Sequence, residues 1–214
     1  MHLLTDSSDA TDNLIKGTLA PINHIAPYML TEANMRTCDA MNLMHINPKE
    51  YRALYASMML ACARQYFIEN TPAGWSTSPA ANCFHIYNHD TELSVRFLHG
   101  FLGKNQVPPA GTNRKRQCDW FQSSLFNERP VNAAKPLSNT SMVVIWTENG
   151  GLFDVNAYRP IGQGHFPYAA HTDLRIHLGI PDSEYMEVAD LHVEVDDEAA
   201  SLIPVEEAIG EINI

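Results

Sequence analysis

The sequence predicts an α+β fold, with N-terminal helices packed on a mostly antiparallel sheet from the C-terminal half. Three observations carry that reading. Residues 48–69 repeat apolar side chains at spacings of three and four, the period of a helix. Asn149-Gly150-Gly151 separates an apolar run from an alternating one, a strong short hairpin signal. Residues 171–178, HTDLRIHL, alternate polar and apolar positions, as a half-buried strand does. Helical patterns come first and strand patterns later, which favours α+β over repeated βαβ units.

The elements follow in order. Residues 1–30 are mixed and polar, with Pro21 and Pro27 late in the segment, and read as an extended N-terminal arm. Thr31 is placed to cap a short helix over 31–44. Asn47-Pro48-Lys49-Glu50 then puts a good cap before proline at the first helical position, with Glu50 able to reach back. The main helix is expected over about 48–69. Tyr51, Leu54, Tyr55, Met58, Cys62 and Tyr66 form its stripe, widened by Leu60, Ala63 and Phe67. Such a wide stripe implies burial on most of the circumference.

Residues 71–82 read as a loop, and 83–103 as two strands around Asn88-His89-Asp90 with Ile86, Leu93, Val95 and Phe97 in the core. Residues 106–117 are a second loop, and 118–129 a short helix with Trp120, Phe121 and Leu125 apolar. A hairpin over 141–158 precedes a glycine-rich loop at 161–170. Alternating strands at 171–180 and 187–196 and an acidic helical segment at 196–214 complete the chain. The domain reading is an arm over 1–30, one α+β domain over 31–203 and an acidic tail over 204–214.

Composition bounds the function. The 214 residues supply a sizeable core at 45% hydrophobic content. A formal charge of −11 repels phosphates over most of the surface and disfavours general nucleic-acid binding. No apolar run approaches the roughly 20 residues of a membrane helix. The N-terminus lacks the basic start and apolar centre of a secretory signal. The expectation is a cytoplasmic or particle-associated protein with no membrane contact. Cys38, Cys62, Cys83 and Cys118 are widely spaced without a CxxC, which disfavours a zinc knuckle and favours reduced, structural thiols.

HTDLRIHL poses the main chemical question. In a strand, His171 and His177 stand about 20 Å apart and cannot share an ion. His171 and Asp173 can. This His-x-Asp resembles the first half of the iron site of 2-oxoglutarate oxygenases. That site needs a second histidine on a later barrel strand. The last histidine, His192, follows Asp173 by only nineteen residues, so this family is not expected. A bland alternative pairs the row with the next strand. His177 then faces Asp190, Arg175 faces His192, Asp173 faces Glu194 and His171 faces Asp196, giving a charge-matched, solvated face.

Other constellations are incomplete. His85 and His89 are four apart but lie in a strand-turn pattern, without the glutamate of HExxH. Cys83 is a candidate nucleophile with His165 or His171 as base and Asp173 or Asp190 orienting it, a chain order similar to papain-like hydrolases. Strand pattern after Cys83 argues against activation by a helix N-terminus. Trp75-Ser76-Thr77-Ser78 resembles the serine-threonine-serine strand of ADP-ribosyltransferases, with Arg64 upstream, but no Glu-x-Glu exists. GQGH at 162–165 is neither a dinucleotide nor a P-loop fingerprint. Arg114, Lys115 and Arg116 form a basic loop for nucleic acid or an acidic partner, or are simply solvated.

No complete catalytic set emerges, and no cofactor is assigned. The expectation is a structural or assembly protein acting through protein–protein contacts, a homo-oligomer or a particle or virion component. The alternative is a small metal- or cysteine-dependent hydrolase: His171, Asp173 and His192 would hold the metal, or Cys83, His165 and His171 would do the chemistry.

Overall fold

The computed structural model of the chain describes residues 5–79, 83–100, 104–112, 117, 119–120, 135–138, 140–149, 152–162 and 164–179. The chain divides into two compact units, Met1–Ile180 and Pro181–Ile214, and the described residues all lie in the first. The strand expected at 187–196 and the acidic tail at 204–214 lie outside them.

Two helices pack on a six-stranded mixed sheet, an α+β architecture. Helix α1 spans Thr5–Leu43 and α2 spans Arg52–Glu69. The strands are β1 Trp75–Thr77, β2 His85–Asn88, β3 Ser94–His99, β4 Ser141–Asn149, β5 Leu152–Pro160 and β6 Thr172–Leu178. They lie side by side in chain order. Every neighbouring pair is antiparallel except β3 and β4, which run parallel from Ser94 opposite Ser141 to His99 opposite Trp146.

The extended arm expected over 1–30 is helix from Thr5 onward. Pro21 and Pro27 lie inside α1. Each interior proline costs about 3 kcal/mol, so packing must offset it. The offset is a buried row at helical spacing: Ile15, Leu19, Ile22, Ala26, Met29 and Ala33, all 1% exposed or less. Thr31 therefore caps nothing. Its hydroxyl donates back to the Pro27 carbonyl at 2.9 Å, inside the helix.

Asn47-Pro48-Lys49-Glu50 forms a turn that ends before α2 begins. Asn47 and Glu50 do bond, but side chain to side chain at 3.0 Å, and α2 is flanked by Tyr51 with no side-chain cap. The buried row of α2 is Met59, Ala63 and Phe67, one residue later than Met58, Cys62 and Tyr66. With spacing of four, both rows read as stripes; contact with α1 and with β1 and β3 selects the former. Tyr51 and Leu54 are consequently exposed.

The loop expected over 71–82 contains the edge strand β1, whose Trp75 is buried. The two strands around Asn88-His89-Asp90 are β2 and β3, and Ile86, Leu93, Val95 and Phe97 are all core. Asn88 fixes their turn: its Oδ1 accepts from the backbone of Asp90 and Thr91 and from the Thr91 hydroxyl. The hairpin around Asn149-Gly150-Gly151 is β4–β5, with Asn149 opposite Leu152.

The helix-facing side of the sheet holds the main core. Phe84 and Phe97 stack at 4.2 Å between ring centroids, and Phe67 meets Phe84 edge-on at 5.8 Å. The opposite side carries a smaller cluster in which Val107, Ala110 and Trp120 cover Val143, Ile145 and Tyr158.

Candidate functional site

The row in HTDLRIHL finds its partners on β5. Asn156 stands opposite His177 and Tyr158 opposite Arg175, while Arg159 faces Leu174 and Pro160 faces Thr172. The register skips Asp173, a bulge that re-aims its side chain. Asp173 meets Arg159 through two bonds, Nε to Oδ1 at 2.7 Å and Nη2 to Oδ2 at 3.0 Å. The same guanidinium donates to Asp12 of α1 at 2.8 Å. Arg159 thus ties α1 to β6. Burial alone would lower its pKa, but the two carboxylates outweigh that and hold it above the ordinary value.

Arg175 and His177 belong to a network on the side of the sheet away from the helices. Arg175 Nε donates to Asn156 Oδ1 at 2.9 Å, and its guanidinium sits 5.9 Å from the Tyr158 ring centroid. Asn156 is fully buried and donates to Asp154 at 2.6 Å. Asp154 also accepts from Asn105 at 2.6 Å and lies 3.5 Å from His177 Nδ1. The Tyr158 hydroxyl closes the circuit on the Asn105 carbonyl at 2.9 Å. Burial pushes the Tyr158 phenol up, opposed by Arg175 and helped by Asp154. Beside Tyr158 opens a cleft of about 290 Å³, lined by Asn105–Val107, Tyr158 and Ala169–Thr172.

The glycine-rich loop forms one wall of this cleft. Ala170 N–H donates to the Val107 carbonyl at 2.9 Å. Gly164 adopts φ +65°, and a Cβ there would sit 2.9 Å from Ala170 Cα, so the close approach needs glycine. Phe166 and Tyr168 are exposed on the loop.

The sequence candidates separate. His171 is exposed at the cleft wall, and His165 is exposed on the loop with its Nδ1 2.7 Å from the Phe166 carbonyl. Cys83 precedes β2, four strand spacings from β6, which is about 19 Å along the ladder. The structure therefore does not bring Cys83 to His171 or Asp173. Asp173 is held by Arg159. His192 and the strand pairs expected with Asp190, Glu194 and Asp196 lie outside the described residues, as do Cys118 and the Arg114, Lys115 and Arg116 loop. No group of three or more His, Cys, Asp or Glu among the described residues is arranged to hold a metal ion. His85 is buried with Nδ1 2.8 Å from the Tyr87 hydroxyl, while His89 is exposed in the turn. Arg64 does approach the Ser76-Thr77-Ser78 segment, donating to the Ser78 carbonyl at 3.0 Å.

A second feature was not singled out from sequence. The helical layer exposes large apolar side chains: Tyr28 at 72%, Met35 at 57% and Leu43 at 83%, with Met44, Tyr51 and Leu54 beside the α1–α2 turn. The signal for it was present in the segment read as an arm and in the stripe of α2.

No described helix is long and apolar enough to cross a membrane. Comparison with known proteins finds no matching family model, no matching curated protein and no matching solved structure. The fold defines the class: an α+β protein with two N-terminal helices packed on a six-stranded mixed sheet.

Proposed function

We propose that this chain is a structural or assembly protein acting through protein–protein contacts. The observation that supports it is the apolar surface of the helical layer, with Tyr28, Met35 and Leu43 each more than half exposed. Large apolar side chains grouped on one layer mark interaction sites more than stray exposure does. By contrast, Asp173, Arg175 and His177 already have protein partners, which argues for a structural use of that row.

The cleft beside Tyr158 favours a second reading, a small hydrolase with His171 at its wall. The cysteine form of that reading loses support from the separation of Cys83. The metal form requires His192.

Native mass spectrometry of the purified chain at several concentrations tests both. Assembly predicts a defined oligomer with no extra mass. A monomer carrying one bound transition metal at every concentration would replace it with the second reading.

A further inference from the structure

The face of α1 turned away from the core has a pattern of its own. Leu14, Pro21, Tyr28, Met35 and Asn42 recur every seventh residue. Three positions after each of the first four come Gly17, His24, Thr31 and Cys38, with Ala10 one step before Leu14. Alternation of three and four is the seam of paired helices. The seam contains no Asp, Glu, Lys or Arg, in a chain carrying 39 of them. Its members are exposed except Cys38, which is half-buried. A solvated helix face normally carries charges. This one reads as a face awaiting cover.

We propose that it pairs with the same face of a second copy, antiparallel, about a two-fold axis at the level of Ala26. The inference rests on the assembly reading and names its surface and partner. In that register every bulky side chain meets a small or flat one: Leu14 faces Cys38, Tyr28 faces His24, and Met35 faces Gly17. Asn42 then lies over Ala10, and Pro21 over Thr31. Facing large on small lets the layers interdigitate without voids. Parallel pairing in register sets Tyr28 on Tyr28 and Gly17 on Gly17, alternating collision with gap.

Electrostatics agree. Along the seam's edge, Glu32 and Asp39 meet Thr18 and Thr11 of the second copy, so no like charges oppose. Glu32 is already neutralised by Arg36 on its own helix at 2.9 Å. Antiparallel helices also oppose their dipoles. The area is sufficient. The seam from Ala10 to Asn42 is about 50 Å long and roughly 12 Å wide, or about 600 Å² per copy. Leu43 extends it toward the roughly 800 Å² per partner of a stable pair. A two-fold arrangement uses the same patch on both copies and closes at a dimer.

Two measurements on the full chain decide the matter. Sedimentation velocity should show a dimer, and Tyr28→Glu with Met35→Glu should weaken it by roughly a hundredfold, as removal of two anchoring side chains does. Circular dichroism checks that the helices remain. Leu14→Cys, mildly oxidised, should form a disulfide to native Cys38 of the second copy, mapped by peptide mass. Within one chain these positions are about 36 Å apart along α1, so such a link reports pairing between copies. It is read without the glutamate substitutions, so it decides even if that variant unfolds. A dimer that survives both glutamates and gives no 14–38 link overturns this surface and leaves the assembly reading in place. A link between position 14 of both copies overturns the antiparallel register. A wild-type monomer at every concentration, with no partner recovered, overturns both.

Discussion

The two sides of the sheet solve burial differently. The helix side is apolar and continuous: Phe67, Phe84 and Phe97 pack as a run of rings, with α1 and α2 spread across the strands. The far side mixes a small apolar cluster with a circuit of Asp154, Asn105, Asn156, Tyr158 and Arg175. The first side draws strength from area, which tolerates change of shape poorly. The second draws it from mutual satisfaction, which tolerates loss of one partner poorly.

The comparison is sharpened most by Phe67→Ala. It should cost about 3–5 kcal/mol in urea unfolding, because it opens a cavity in the ring stack. Arg159→Ala comes next, at about 2 kcal/mol. It strands Asp12 and Asp173, but both are partly solvated, which limits the penalty. The same variant should speed hydrogen exchange at the start of α1. Unchanged exchange there would show that the tie to β6 is not what holds that end.

Asn156→Ala on the far side should cost about 1–2 kcal/mol, since it removes one partner each from Asp154 and Arg175. A double cycle with Asp154→Asn should show coupling; simple additivity would mean the circuit is a set of separate bonds.

The smallest effect is a pH dependence. His99 is exposed at the end of β3, yet partial desolvation of its ring against Trp146 pushes its pKa below the ordinary value of 6.5, partly opposed by the Gly100 backbone and Glu148. The unfolded chain then binds the proton more readily than the folded one. Stability from this group is full above pH 6.5 and is lost as pH falls through the folded pKa. His99→Phe should flatten that slope in thermal melts near pH 6; an unchanged slope assigns it elsewhere.

Legibility in the sequence followed local chemistry. The β4–β5 hairpin and the β2–β3 turn were readable because Asn-Gly and the Asn88 side chain act within a few residues. The first half of α1 was not. Its prolines read as breakers, and only tertiary burial of Ile15, Leu19 and Ile22 explains why the helix continues through them. In HTDLRIHL the alternation was legible and β5 pairs with one edge; the pairing expected with 187–196 lies outside the described residues. The bulge at Asp173 leaves no mark in sequence. Circuits such as Asp154–Asn105, 49 residues apart, are invisible before the strands are placed.

One topological detail sets a sequence of events. β3 and β4 are parallel, so residues 100–140 must travel back across the sheet before that ladder can close. The described part of that return, around Val107, Ala110 and Trp120, lies on the far side. Hairpins zip locally, whereas this pairing waits on a long loop closure, which slows formation more than it weakens the product. The topology predicts that β2–β3 and β4–β5–β6 form first and that the seam between them closes last. Pulse-labelled refolding should protect the Ile145 and Ala157 amides while Arg96 still exchanges; simultaneous protection would mean the seam forms with its halves.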